Sequence, residues 1–201
     1  MLPAKLASER TFLERYVGND LSQVRILNAG SGPTRYGENC VNIDIQPKPN
    51  VDVVGDLHAL PASLGAFDVI ICNAVLQYCR DPRQVAAEFE RVLSPGGYLY
   101  VDAPWVQAYC PDTPDLFRFS EEGLRSIFAN FEIVELGPAI PAGSALAMLG
   151  VRIAQTWTAN RYLNFMAGKI AAVLLYPLRW IKTARPGQTA GAFYLVARKR
   201  S

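Results

Sequence analysis

The stretch VRILNAGSGPTRYGENCVNIDI, residues 24–45, decides the fold of this chain. An apolar segment runs into Gly30-Ser31-Gly32, and a second short apolar segment ends at the acidic Asp44. The two glycines let the backbone approach a ligand because they carry no Cβ, and Asp44 can accept hydrogen bonds from both hydroxyls of a ribose. This layout is typical of an adenosine-cofactor pocket at the carboxyl edge of a parallel sheet. The alternative is a glycine-rich turn that precedes a surface Asp.

The residue three places after the second glycine bears on which cofactor would bind. The dinucleotide fingerprint G-x-G-x-x-G requires a third small residue for close helix–strand packing. Arg35 stands at that position. A nicotinamide-dependent oxidoreductase is therefore disfavoured, and the chain also lacks a Tyr-Lys or His arrangement suited to donating a proton.

The following residues continue the strand pattern. GDLHALP (55–61) follows a third apolar segment and puts Asp56 at a strand end, where it can accept from an adenine amino group or cap a helix. FDVIICNAVLQY (67–78) predicts a buried strand that ends at Asn73. DPRQVAAEFERVLSPGGYLYVDAP (81–104) predicts a capped helix, a Pro-Gly-Gly turn and a fifth strand.

Strands and helices alternate along the chain, which predicts an α/β fold with a doubly wound, mostly parallel sheet. The predicted strands lie near 24–28, 40–44, 51–54, 67–72, 97–102, 131–137 and 191–199. The predicted helices lie near 3–17, 82–93 and 120–129.

Six motifs occur in an order and spacing that resembles the class I S-adenosylmethionine-dependent methyltransferases. They are LNAGSG, VNIDI, GDLHALP, FDVIICNAVLQY, RVLSPGGYLYVDAP and FRFSEEGLRSIF, between about Arg25 and Pro138. The chain is most similar to small methyltransferases of bacterial surface-polysaccharide assembly. The resemblance implies a Rossmann-like seven-stranded sheet with one antiparallel strand, and S-adenosyl-L-methionine as the cofactor. It divides one domain, 1–201, into an N-terminal helix (1–20), a cofactor-binding core (21–137), a helical insertion (138–190) and a last strand (191–199).

The resemblance also implies a set of cofactor-binding residues at the strand ends. They are Asn28, Ala29, Gly30, Ser31, Gly32, Asp44, Ile45, Asp56, Leu57, Asn73 and Ala74. Members of the family usually have an acidic residue where this chain has Asn28. An Asn can orient the glycine loop or a water, but it offers no charge to the ammonium group of the cofactor. Replacing Asn28 by Asp is therefore expected to be tolerated.

The base for methyl transfer is not evident from the sequence. A hydroxyl acceptor must lose its proton, usually to a His, Asp or Glu. In many relatives a His lies near the position of Tyr78, whereas here the residues are Gln77-Tyr78 and the single histidine is His58. The catalytic residue stays unassigned, with Asp102 at the tip of the fifth strand as the candidate. Asp112 and Asp115 are further acids in the following loop, and a cofactor-binding but catalytically silent partner protein is the alternative function.

The loop 103–119 is the predicted substrate lid, because it follows a strand end and carries aromatic side chains and an arginine. The predicted substrate-binding residues are Gln77, Tyr78, Trp105, Tyr109 and Arg118. Aromatic faces and an arginine suit a sugar or an anionic, lipid-linked glycan. The alternative is that these aromatic residues pack under the insertion.

Composition indicates one domain without a metal. At 201 residues, half of them hydrophobic, the chain can bury a single ample core. Four cysteines without a CxxC pair and a single histidine argue against a zinc site. The first residues include two glutamates and no long apolar run, so we do not expect a signal peptide and predict a cytoplasmic protein.

Charge divides the chain into two parts. All 18 acidic residues lie at or before Glu135, whereas nine of the 20 Lys and Arg residues follow Leu136. Apolar residues in the insertion recur at helical spacing. They are Leu146, Leu149, Ile153 and Trp157, then Leu163, Met166, Ile170, Val173 and Pro177 or Ile181, with Arg161, Arg179 and Lys182 toward the other face.

The longest uncharged run of the insertion, 170–178, is too short to span a bilayer. Three roles stay open for these helices: a cap over the substrate side of the sheet, contact with an anionic membrane surface, or a dimer face. Nucleic-acid binding is disfavoured because the basic residues are spread out and do not form a stripe.

Overall fold

The computed structural model describes residues 8–111 and 113–200. Seven strands form one sheet in the order β3-β2-β1-β4-β5-β7-β6. They are β1 (Ile26–Ala29), β2 (Cys40–Asp44), β3 (Val53–Val54), β4 (Phe67–Asn73), β5 (Leu93–Pro104), β6 (Glu132–Ile140) and β7 (Ala192–Arg198). Only β7 runs antiparallel to its neighbours, so β6 points the same way as the other five strands. The predicted Rossmann-like sheet with one antiparallel strand is confirmed.

Five α-helices of the described residues accompany the sheet. They are α1 (Glu9–Phe12), which continues as a π-helical turn (Leu13–Val17), α2 (Pro82–Val92), α3 (Glu121–Ile127), α4 (Ala142–Gln155) and α5 (Arg161–Leu174). Asp81 caps α2 by accepting from the backbone N–H groups of Arg83 and Gln84. Ser120 caps α3 by accepting from the backbone N–H group of Gly123. Residues 3–7 of the predicted first helix lie outside the described residues.

The two faces of the sheet bury separate apolar clusters. Side chains of α2 and α3, including Phe89 and Leu124, pack on one face. Phe12 and Leu13 of the N-terminal helix pack on the other face against Tyr100 and Val196. The sheet is thus covered on both sides, as a doubly wound fold requires.

The fifth strand is longer than predicted. Phe67 pairs with Leu93 and Val69 pairs with Tyr98, so the residues between Leu93 and Tyr98 form a bulge inside β5 rather than a separate turn. A Cβ on Gly97 would lie 2.9 Å from the carbonyl oxygen of Asp68. The Pro-Gly-Gly sequence therefore lets β5 begin beside β4 immediately after α2.

The connection from β1 to β2, residues 30–39, contains no helix. A parallel crossover usually takes a dozen or more residues and includes one. Here Arg35 holds the loop in place. Its guanidinium donates to the carbonyl oxygen of Cys40 and to the two carboxylate oxygens of Asp52, and both bonds to Asp52 are 2.7 Å long. Because no helix packs at this point, the third small residue of the dinucleotide fingerprint is not needed.

The insertion leaves the sheet after Ile140 and returns at Ala192, and α4 and α5 form most of it. The helical stripe expected to reach Ile181 is interrupted, since α5 ends at Leu174 and a 3₁₀ turn (Tyr176–Trp180) follows. Pro177 lacks an N–H and its ring would collide with the carbonyl group four residues earlier, so it cannot continue the helix. In the described ranges, no helix has the length and apolarity needed to cross a bilayer.

Candidate functional site

The glycine loop after β1 packs tightly on one side and is open on the other. The backbone N–H groups of Gly30 and Ser31 both donate to the carbonyl oxygen of Ile43, at 2.8 and 3.1 Å. Gly30 (φ 70°) and Gly32 (φ 52°) are left-handed. A Cβ on Gly30 would lie 2.6 Å from Cγ1 of Val75, whereas no atom lies within 4 Å of the Cβ position of Gly32. Gly32 thus faces the open side, where a ligand can approach the backbone.

Asp44 closes the other side of this loop. One of its carboxylate oxygens accepts from the N–H of Gly32 (3.2 Å) and from Nζ of Lys48 (2.9 Å), and the other accepts from the N–H of Gln46 (3.0 Å). Burial opposes ionisation, but these hydrogen bonds and the Lys48 charge outweigh it and lower the pKa of Asp44. A carboxylate has about four acceptor positions and three are used here, so Asp44 keeps capacity for a ribose hydroxyl.

Asn28 lies within the sheet and makes hydrogen bonds to the protein itself. Its Nδ2 donates to the carbonyl oxygen of Thr34 (2.9 Å) and to Oδ1 of Asn42 (3.2 Å). Asn42 in turn donates to the carbonyl oxygens of Thr34 (3.0 Å) and Asn50 (2.8 Å). This buried amide pair fixes the short loop between β1 and β2, which no helix supports. The structure thereby gives Asn28 a structural role. An Asp at this position is therefore no longer expected to be tolerated.

The end of β4 completes this edge of the pocket. Ala74 has a positive φ of 55°, which is uncommon for a residue other than glycine. Its N–H donates to the carbonyl oxygen of Asp102 (2.8 Å), and Nδ2 of Asn73 donates to Glu9 of α1 (2.8 Å). The N-terminal helix is therefore tied directly to the strand end that resemblance assigns to the cofactor.

The adenine-side segment after β3 holds Asp56 and the single histidine. Nδ1 of His58 lies 2.5 Å from Oδ1 of Asp56, and Nε2 of His58 accepts from the N–H of Asp81 (3.0 Å). The His58 ring therefore bridges two loops. Hydrogen bonds from the His58 backbone and ring lower the pKa of Asp56. His58 is thus engaged on both nitrogens, and Asp56 keeps one carboxylate oxygen for an adenine amino group.

The remaining predicted cofactor residues occupy the same edge. Ile45 is exposed just after Asp44, where its side chain can cover an adenine ring, whereas Leu57 and Ala29 are buried in the core. The side chain of Ser31 is buried and its hydroxyl has no hydrogen-bond partner among the described residues.

A row of polar side chains crosses the carboxyl edge of the sheet next to this pocket. Asn73, Asp102 and Tyr194 are direct neighbours in register on β4, β5 and β7. They share the face that the N-terminal helix covers. Asp102 is only 3% exposed. A buried carboxylate at this edge is well placed to accept a proton from an acceptor group.

The predicted substrate loop is attached to the turn after β4. The carbonyl oxygen of Gln77 accepts from the N–H groups of Leu116 and Phe117, at 2.9 and 3.2 Å. The side-chain oxygen of Gln77 is buried and has no partner among the described residues. Burial raises the pKa of the neighbouring Tyr78. Gln77 and Tyr78 therefore lie at the base of this loop.

The charged and aromatic residues of the loop differ in how accessible they are. The guanidinium of Arg118 pairs with both carboxylate oxygens of Asp115, which also accepts from the N–H of Cys110. These bonds, above all those from Arg118, lower the pKa of Asp115. Trp105 and Tyr109 remain exposed, as an acceptor contact requires. Asp112 lies outside the described residues.

Sequence reasoning missed a polar cluster between the N-terminal helix and the last two strands. Glu135 accepts from the hydroxyl of Tyr16 (2.6 Å), from Nη1 of Arg15 (3.1 Å) and from the hydroxyl of Tyr194. Burial opposes ionisation of Glu135, but the bonds from Tyr16 and Tyr194 and the Arg15 charge lower its pKa overall. The only available signal was that Glu135 is the last acid of the chain and lies in an apolar strand, where a carboxylate needs partners.

The comparisons with known proteins agree with this arrangement. The family described as a methyltransferase domain matches residues 3–101, from the N-terminal helix to the middle of β5. Residues 3–101, just under half of the chain, are therefore similar to the class I S-adenosylmethionine-dependent methyltransferases. The match includes every predicted cofactor residue and ends before Asp102 and the substrate loop.

Two curated relatives match about half of this chain. An uncharacterized 37.1 kDa protein of transposon Tn4556 from Streptomyces fradiae is 35% identical over 102 residues, which are 51% of this chain and 26% of that protein. A malonyl-[acyl-carrier protein] O-methyltransferase of Erwinia billingiae is 27% identical over 120 residues, 48% of each chain. The chain thus spans about a quarter to a half of the length of these relatives.

Solved structures share the fold over most of the chain. The [4+2]-cyclase SpnF is similar with a TM-score of 0.55 and 22% identity, over 88% of this chain and 74% of that chain. A likeness at this identity concerns the fold alone, and one architecture supports many chemistries.

Similarity to this family implies S-adenosylmethionine as the cofactor. The residues present fit this cofactor. Gly32 leaves open space beside the backbone, and Asp44 can accept a further hydrogen bond. The buried hydroxyl of Ser31 has no hydrogen-bond partner among the described residues. Asp44 would hold the ribose, Asp56 the adenine amino group, and the glycine loop with Asn73-Ala74 the remainder. When bound, the cofactor supplies a methyl group activated on a sulfonium.

Proposed function

We propose that this protein is a cytoplasmic methyltransferase, which transfers a methyl group to an oxygen atom of a small-molecule, glycan or lipid-linked acceptor. The observation that carries the proposal is the position of Asp102, a buried carboxylate in register with Asn73 of the cofactor edge. A hydroxyl is a poor nucleophile until a base takes its proton. A carboxylate beside the cofactor edge provides such a base.

The other residues of this edge orient the acceptor and exclude water. Tyr194 flanks Asp102 in register, and the N-terminal helix lies over the same face of the sheet through Phe12 and Tyr100. Alignment of the two reacting atoms supplies much of the rate in a displacement of this kind. We therefore assign Asp102 as the proton acceptor and Asn73 and Tyr194 as residues that shape the acceptor side.

The chemistry of the loop 103–119 supports a glycan or lipid-linked acceptor. Trp105 and Tyr109 present exposed aromatic faces, which suit sugar rings. One curated relative is named an O-methyltransferase, which supports oxygen as the acceptor atom. The resemblance to small methyltransferases of surface-polysaccharide assembly favours an acceptor of the cell envelope.

The test is methyl transfer from labelled S-adenosylmethionine to fractions of a cell-envelope extract. Asp102→Asn should lower the turnover rate by about 10²–10⁴ because it removes a general base. The affinity for S-adenosylhomocysteine should not change. Asp20→Asn, which alters an exposed carboxylate far from the site, is the matched control. Full turnover in Asp102→Asn would refute the assignment of the base.

A cofactor-binding but catalytically silent partner protein is the second candidate. It is favoured by the neutral Asn28 at the family's acidic position and by Gln77 where many relatives have a His nearby. This candidate predicts normal binding of S-adenosylhomocysteine without transfer to any extract fraction. Transfer that depends on Asp102 would eliminate it.

A further inference from the structure

The two helices of the insertion pack against each other through glycines. Gly150 of α4 lies against Leu175, and Gly168 of α5 lies against Gln155. The Cβ position of Gly143 lies even closer to the backbone carbonyl group of Leu178, in the 3₁₀ turn that follows α5. Larger side chains at these positions would push the helices apart. The close contact between α4 and α5 therefore depends on these glycines.

The bulky residues point outward. Gly168 is the only fully buried residue of α5. The outward face of α5 is almost entirely apolar, and its large side chains are 41–74% exposed. They are Tyr162, Leu163, Phe165, Met166, Ile170, Val173 and Leu174. This arrangement is the reverse of an ordinary surface helix, whose apolar stripe faces the core.

Neighbouring segments enlarge this apolar surface. Leu146 and Ile153 of α4 are exposed, Trp157 after it is 80% exposed and Trp180 is 69% exposed. In the described part of the chain, 13 of the 21 exposed large hydrophobic residues lie between Leu146 and Ile181. Such a concentration of exposed apolar side chains in one segment is typical of an interaction site. We call it the apolar face of the insertion.

The charges of the insertion select the partner. Residues 138–190 contain six Lys and Arg residues and no Asp or Glu. Lys169 lies over the ring of Phe165 (5.3 Å) and Arg179 over the ring of Tyr176 (4.9 Å), so cations and apolar groups share one surface. A second copy of the chain would bring like charges together, and a nucleic acid would leave the aliphatic face uncovered.

We propose that the apolar face of the insertion docks on an anionic lipid bilayer. Basic helices with an apolar face and exposed tryptophans lie in the headgroup–acyl boundary of such membranes. The apolar residues of α5 would enter the boundary together with Trp157 and Trp180. Arg161, Lys169, Arg179 and Lys182 would contact the anionic headgroups.

Docking would bring the acceptor side of the sheet close to the membrane. The insertion starts at Ile140, at the carboxyl edge of β6, and Ala145 of α4 packs in one cluster with Ala192 and Tyr194. Tyr194 is the register neighbour of Asp102. A lipid-linked acceptor would thus be presented where Asp102 lies. Only this consequence rests on the proposed function; docking itself does not.

The test is co-sedimentation of the full chain with phosphatidylcholine vesicles, with and without added phosphatidylglycerol. We expect binding only to the anionic vesicles, and binding should weaken as salt rises. Replacing Arg161, Arg179 and Lys182 together by Gln should reduce partitioning by about a hundredfold. The triple variant Ile170→Gln, Val173→Gln, Leu174→Gln should reduce it at least as strongly.

The matched control is Val54→Gln with Val134→Gln, which removes exposed apolar side chains outside the insertion. It should bind vesicles like the wild type, and all variants should bind S-adenosylhomocysteine equally. A folded wild type that ignores anionic vesicles at low salt would overturn the proposal. So would a stable dimer that the apolar variant dissociates, because the face would then be a self-association surface. Loss of methyl transfer with intact vesicle binding would refute only the proposed function.

Discussion

The side-chain amide of Asn28 donates a hydrogen bond to that of Asn42 inside the sheet, and both amides donate to the carbonyl oxygen of Thr34. The pair stands where the family usually has an acidic residue that serves the cofactor. It fixes a crossover loop that no helix supports. In this chain, the first strand therefore uses that position for stability.

Asn28→Asp should destabilise the protein. A carboxylate would lose both donor contacts and face the oxygens of Thr34 and Asn42, at a cost of about 2–4 kcal/mol in the free energy of unfolding. The cost should grow as pH rises above about 4, because burial disfavours the charged form. Urea denaturation at two pH values measures this.

Asn160→Asp is the matched control for that substitution. Asn160 caps α5 by accepting from the N–H groups of Tyr162 and Leu163, which a carboxylate does equally well. Its stability should therefore stay close to that of the wild type. An Asn28→Asp protein that is as stable as this control, and binds cofactor more tightly, would restore the cofactor role for this position.

Substitutions at the two loop glycines should separate folding from cofactor binding. Gly30→Ala would collide with Val75 in a left-handed conformation, so the free energy of unfolding should fall by about 2–4 kcal/mol. Gly32→Ala meets open space and should cost only about 1–2 kcal/mol. It should nevertheless weaken S-adenosylhomocysteine binding, measured by calorimetry. Equal stability losses in the two variants would contradict this assignment.

His58→Gln should lower stability without abolishing transfer. The ring bridges Asp56 and the backbone of Asp81, and losing these bonds should cost about 1–2 kcal/mol. Turnover, measured with labelled cofactor, should fall less than about tenfold, whereas loss of a general base costs about 10²–10⁴. A fall in that larger range would make His58 the base after all.

Glu135→Gln should reduce stability at neutral pH, by about 1–2 kcal/mol, because Tyr16, Tyr194 and Arg15 favour the carboxylate. The pKa of Glu135 is lowered in the folded protein, so its contribution is complete above the ordinary Glu pKa and is lost as pH falls through the lowered value. The difference between wild type and variant should therefore shrink toward pH 3. A difference that stays constant with pH would show that packing, not charge, is responsible. Thermal unfolding across this range checks it.

The sequence predicted the sheet well because its signals are local. Glycines after β1, the acid at the tip of β2 and the capping Asp81 each act on a few neighbouring residues. No helix was predicted between β1 and β2, and the described residues contain none there. The polar network that takes its place was not predicted, because it joins Asn28 of β1, Asn42 of β2 and Arg35 of the loop between them.

Periodicity found the apolar stripes of the insertion but could not tell which way they face. Leu163, Met166 and Ile170 recur at helical spacing whether they face the core or solvent. The direction is decided by glycines on the opposite side, such as Gly168, which bring α5 close to α4. Likewise, the sequence predicted Arg118 as a substrate-binding residue. Its ion pair with Asp115 forms only in the folded loop, so the sequence did not reveal it.

Calorimetry with S-adenosylhomocysteine and NAD tests the central claim most directly, with wild type, Asp44→Ala and Lys48→Met compared. Wild type should bind S-adenosylhomocysteine and not NAD, and Asp44→Ala should bind more weakly by about 1–3 kcal/mol because ribose hydroxyls lose their acceptor. Lys48→Met removes only the ion pair and should retain binding. Wild type that binds no S-adenosylhomocysteine, or a folded Asp44→Ala with unchanged affinity, would contradict a class I cofactor site at this loop.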